Sequence, residues 1–147
     1  MSMFEIKYQF TRNQPEIANN ADEITLRYEL FPGSLWLKKD DKEISMDWKW
    51  IPLADFALCM FDIYILLNKQ TVGEEIFEFT ESDATITFRR EKDKCKISAS
   101  FSDIILKPDY TEFQEAVKLF GIKIGEDIFR QNKELKEKYK KLFYLPD

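Results

Sequence analysis

The chain has 147 residues, 22 Lys and Arg against 27 Asp and Glu, 44% hydrophobic content and two cysteines, which is the composition of one globular domain spanning 1–147. It contains no histidine, and so lacks the commonest general base, the commonest zinc ligand and the middle member of Ser-His-Asp or Cys-His arrangements. The net charge of −5 disfavours nucleic acid, whose binders normally carry a basic stripe, and favours basic partners.

Phe4, Ile6, Tyr8 and Phe10 alternate with Glu5, Lys7, Gln9 and Thr11, a period of two that predicts a first strand. Charges at Glu5 and Lys7 interrupt any apolar segment there, so no export signal is read. Asn13 to Asp22 is polar and rich in turn formers, an exposed connection. Alternation at Ile24, Leu26, Tyr28 and Leu30 predicts a second strand, ended by a tight turn at Pro32-Gly33. Leu35 and Leu37, the charged run Lys38–Lys42, and then Ile44, Met46, Trp48 and Trp50 predict a hairpin with one wet face. Trp48 and Trp50 share its apolar face, whereas Trp36 lies out of phase with Leu35 and Leu37 and is read as a surface contact.

Pro52 opens a helix running to about Asn68, because its missing N–H has no intrahelical partner at a helix start. The apolar run Ile51–Leu67 is too short to span a bilayer comfortably and carries Asp55 and Asp62. Gly73 then breaks the chain, and Glu75–Glu81, Thr85–Arg90 and Cys95–Phe101 read as a meander. Past Pro108, Asp109 and Glu112 have the spacing of a capping box. Phe113, Val117, Phe120, Ile124 and Ile128 keep a helical period, continued by Leu135, Tyr139 and Leu142. Gly121 and Gly125 leave open whether this is one helix or two. The reading is therefore α+β, with antiparallel sheet or sheets of about six to seven strands and two main helices. Its order is strands, helix, strands, helix, as two similar halves.

No glycine-rich phosphate loop is present among Gly33, Gly73, Gly121 and Gly125. Asp55, Cys59 and Asp62 share one helix face, which has two readings: a carboxylate pair for acid–base work, or an anion near the helix start with a second on an exposed edge. The two carboxylates lie ~10 Å apart by helix rise, long for a retaining glycosidase pair. Cys59 and Cys95 fit no metal or redox spacing and read as free thiols in a reducing cytoplasm. No cofactor and no metal are expected. Glu74, Glu75, Glu78, Glu81 and Asp83 form the densest one-sign segment, and such a surface speeds and orients association with a basic partner. Those five residues and Trp36 are the candidate contacts of a protein-binding module.

This order of a charged hairpin, a helix containing Leu53-Ala54-Asp55-Phe56, an acidic strand Glu74-Glu75-Ile76-Phe77-Glu78-Phe79, a second hairpin and a helix opening Glu112-Phe113-Gln114-Glu115-Ala116-Val117 resembles small cytosolic immunity proteins of Gram-positive polymorphic toxin systems. The resemblance covers roughly Ile24 to Phe129 and carries over no inhibitory residue. It implies a non-catalytic protein that covers the active site of a secreted, in many cases basic, toxin. Two other readings stand beside it: a homo-oligomeric structural module whose helix faces meet a second copy, and a small-molecule-binding or carboxylate-dependent enzyme domain.

Overall fold

The computed structural model describes residues 3–12, 21–130 and 132–143. The segment 13–20, expected as a connection, lies outside them. Strands β1 (Glu5–Phe10), β2 (Pro32–Lys39) and β3 (Lys42–Pro52) form one antiparallel sheet in the order β1-β2-β3. Strands β4 (Val72–Glu78), β5 (Thr85–Glu91), β6 (Lys94–Ala99) and β7 (Ser102–Leu106) form a second, in the order β4-β5-β6-β7. The long helices α2 (Leu53–Asn68) and α3 (Tyr110–Phe129) each follow one sheet, as the two-halves reading expects, with shorter helices α1 (Glu23–Tyr28) and α4 (Lys133–Tyr139) and a 3-10 turn at Lys140–Phe143. The fold is α+β. Among the described residues no helix is long and apolar enough to cross a membrane.

The corresponding hairpins turn tightly: Lys39 faces Lys42 across Asp40 and Asp41, and Glu91 faces Lys94 across Lys92 and Asp93, with Asp40 and Lys92 in the left-handed region. Each helix reaches beyond its own sheet, α2 to β4 and α3 to β1, which locks the halves together. The core runs between sheets and helices as a chain of rings. Phe56 meets Phe77 at 4.9 Å and Phe120 at 5.8 Å, while Phe113 lies 5.7 Å from Phe88 and 6.3 Å from Phe4. β3 and β7 lie side by side without a ladder between them. Their junction is filled by Trp48, stacked on Trp50 at 5.4 Å and edge-on to Phe79 and Phe101.

Several sequence expectations are overturned. Residues 24–30 are not a strand: Asp22 accepts a hydrogen bond from Thr25 N–H at 2.8 Å and caps a single helical turn and a half, from which only Leu26 is buried. Four alternating residues are too few to outweigh that cap. Pro32-Gly33 is no turn but the start of β2, where Gly33 pairs with Phe10 and a Cβ would fall 2.2 Å from the Gln9 carbonyl oxygen. Gly73 lies inside β4, which therefore begins earlier and ends at Glu78. β7 has no signature in the sequence pattern, because Asp103-Ile104-Ile105-Leu106 does not alternate. α3 runs unbroken through Gly121 and Gly125; at 121 the absence of a side chain admits the Phe61 ring from α2. The expected capping box is present, its Glu112 carboxylate accepting from Asp109 N–H at 3.2 Å.

Candidate functional site

β4 pairs only with β5 and is an outer edge of its sheet among the described residues. The register sets Val72, Glu74, Ile76 and Glu78 on the outward face, opposite Glu91, Arg89, Thr87 and Thr85. Gly73, Glu75 and Phe77 turn the other way, toward α2, and Phe77 is buried there. The acidic run is thereby divided by the two-residue period of the strand. Glu74 and Glu78 are exposed on the outer face, Glu75 is half-buried on the inner one, and Glu81 and Asp83 are exposed in the β4–β5 turn. Two exposed apolar side chains stand among the acids, Val72 at 48% and Ile76 at 51% of full exposure.

The neighbouring strands carry the opposite charge. Arg89 on β5 lies 3.9 Å from Glu74 and 2.7 Å from Glu91. With Lys94, Lys96 and Lys107 it borders a shallow groove of about 460 Å³. The outer face of this sheet is thus banded, acidic and apolar at the β4 edge and basic across β5, β6 and the end of β7. Sequence reading sees the acids because they are contiguous and misses the basic band because sheet pairing assembles it from separate segments.

Trp36 is not brought to this surface. It sits half-buried on β2, the middle strand of the other sheet, between Lys7 of β1 and Ser45 of β3. Of the five acids, Glu74, Glu78, Glu81 and Asp83 remain together along β4 and its turn.

The Asp55, Cys59, Asp62 stripe also separates. Asp55 is 4% exposed, and its Oδ1 accepts from Arg27 Nε at 2.8 Å and Nη2 at 2.7 Å. The Cys59 Sγ stands 3.8 Å from both Asp55 oxygens and 3.7 Å from Arg27 Nη2. Burial, helped by the Asp55 charge, pushes the Cys59 thiol up to about 11, so it stays protonated and a poor nucleophile near neutrality. Asp62 is exposed. These groups clamp α1 to α2, and Arg27, which no sequence motif marks, is the residue that neutralises the buried carboxylate.

A second polar cluster joins β1 to α3. Tyr8 Oη donates to Asp127 Oδ2, and Arg130 Nη2 donates to Asp127 Oδ1 at 2.6 Å. Burial first, and then the Asp127 carboxylate, raise the Tyr8 phenol well above its ordinary range, which keeps it a donor. Nearby, Glu112 takes Phe4 N–H at 3.0 Å and Lys39 Nζ at 2.8 Å, tying the first turn of α3 to the first sheet. Among the described residues no three His, Cys, Asp or Glu side chains are placed to hold a metal ion. No protein-family model, curated protein or solved structure matches the chain.

Proposed function

We propose that this chain is a non-catalytic, cytoplasmic protein-binding module of the immunity type, which covers a basic partner through the edge strand β4. The observation that carries this reading is the β4 edge, unpaired on its outer side among the described residues, where Val72 and Ile76 are exposed among Glu74, Glu78, Glu81 and Asp83. Apolar area supplies affinity, carboxylates select a basic surface, and the open backbone edge offers further hydrogen bonds. The pairing of Asp55 with Arg27 supports the same reading, because it engages the carboxylate that, alone among the described residues, is buried and open to acid–base use. Two free cysteines, Cys59 and Cys95, fit a reducing compartment.

The test uses the tagged full chain to capture its partner from the native cell, then measures affinity for the partner identified. Reversing Glu78, Glu81 and Asp83 to Lys should weaken binding by two or more orders of magnitude while leaving the thermal midpoint nearly unchanged. Undiminished affinity in that variant rejects β4 as the contact.

A further inference from the structure

At the opposite edge of the fold, strand β1 and helix α3 lie side by side with a groove between them. Among the described residues β1 pairs only with β2. Thr11 N–H donates to the Pro32 carbonyl at 2.9 Å, one step beyond the Phe10–Gly33 pair. The alternation of an antiparallel ladder then turns the backbone N–H and C=O of Ile6, Tyr8 and Phe10 away from β2. No hydrogen bond among the described residues uses those groups. α3 runs in the same direction beside this edge, with Glu112 at Phe4 and Asp127 at Tyr8. Between strand and helix lies a groove of about 400 Å³ whose helix side is Ala116, Leu119, Phe120 and Lys123. Leu119 stands at its rim, 64% exposed.

We infer that this edge is the interface for a second copy of the chain, related by a two-fold axis passing at Ile6 and Leu119. An isologous contact requires a patch complementary to itself. In the antiparallel register centred on Ile6, Ile6 faces its own copy and each Glu5 faces Lys7 of the other chain, on the outer side of a sheet now six strands wide. In the helix layer, an antiparallel crossing centred on Leu119 sets each Glu115 against Lys123 of the other chain. Glu115 and Lys123 are exposed and neither has an ion-pair partner among the described residues, Lys123 lying over the Tyr8 ring at 5.6 Å; Glu5 and Lys7 stand 3.9 Å apart within one chain and would exchange partners across the interface. Neighbouring registers are rejected by charge: centring on Lys7 opposes two lysines, and centring between Leu119 and Ile122 opposes Lys118 to Lys123 and Glu115 to Glu126. The two centres fall at corresponding points of strand and helix: Ile6 is midway between Phe4 and Tyr8, and Leu119 is close to midway between their partners Glu112 and Asp127. The contact buries Leu119 and the exposed parts of Ile6 and Tyr8, and gives the open backbone groups partners. It leaves β4, on the other sheet, free, so it stands independently of the function proposed above.

The test is the mass of the full chain in solution, by light scattering and sedimentation across a concentration series. The wild type should be a dimer. Lys7→Glu and, separately, Lys123→Glu should each raise the dimer dissociation constant by about tenfold or more, since each sets carboxylates against carboxylates twice. Combining Lys7→Glu with Glu5→Lys should restore the dimer. Circular dichroism confirms folding of each variant, and a Glu78→Lys control should dimerise like the wild type. A wild type that is monomeric throughout, single reversals without effect, or a double reversal that fails to rescue each overturns the proposed interface.

Discussion

Replacing Gly121 by alanine sets helix propensity against packing in a case where the geometry decides the winner. A Cβ at position 121 falls 2.0 Å from Cζ, 2.4 Å from Cε2 and 3.1 Å from Cε1 of Phe61, whose side chain is buried in α2. Propensity alone favours alanine over glycine by about 1 kcal/mol inside a helix. Overpacking a core typically costs about 1–3 kcal/mol, and overlap with three ring atoms at once belongs at the upper end. The net destabilisation is then about 2 kcal/mol. With an unfolding entropy of ~2.1 cal/mol/K per residue, a chain of this length loses about 6 °C from its melting temperature. Calorimetry or a dichroism melt measures this directly, and urea titration gives the same difference through an unchanged m-value. Phe61→Leu in the Gly121→Ala background should recover part of the loss, giving a coupling energy of about 1 kcal/mol or more in a double-mutant cycle. An alanine variant as stable as the wild type would refute the close approach of α2 and α3 at this point.

Asp55→Ala should destabilise the fold by about 3 kcal/mol, the lower end of the range for breaking a buried pair, since the Arg27 side chain keeps 22% exposure. Arg27→Met in that background should recover part of it in urea unfolding, because no charge is then left unpaired; a simple sum of the two single losses would contradict the clamp. The thiols predict a pH dependence. Burial pushes Cys95 up to about 12, and burial with the Asp55 charge pushes Cys59 up to about 11. Both thiols are then neutral in folded and unfolded chains below the ordinary thiol range, and above it the unfolded chain alone ionises first, so stability falls as pH rises through about 9 to 11. Urea midpoints measured through that window should decline, and the decline should flatten in the Cys59→Ala, Cys95→Ala double variant. An identical slope in wild type and double variant would remove the thiols as its source.

Where local pattern and local chemistry agree, the fold is legible in the sequence. Both two-residue hairpins are announced by alternation around a charged turn, and Asp109 with Glu112 marks the start of α3. The failures share a cause, which is contact over long sequence separation. Ile24 to Leu30 alternates like a strand, but Asp22 and the Arg27–Asp55 pair hold it as a helix against α2. Gly33 reads as a turn until Phe10 is laid beside it. Gly121 leaves the continuity of α3 open until Phe61 is seen to fill the space beside it. The acidic run was legible as composition but not as a surface, because the pleat sends Glu75 inward and pairing brings Arg89 beside Glu74. Trp36, out of phase with the buried Leu35 and Leu37, belongs to a different sheet from the acids.

The stacked indoles of Trp48 and Trp50 at the seam between β3 and β7 make the two halves of this protein optically distinguishable. Three tryptophans are present, and Trp36→Phe leaves only the stacked pair emitting. Its fluorescence and near-ultraviolet dichroism then report whether the sheets stay in register with each other, while amide absorption follows the strands themselves. If those two signals part company during denaturation, the seam opens before either sheet melts, and the chain behaves as a hinged pair rather than one cooperative block.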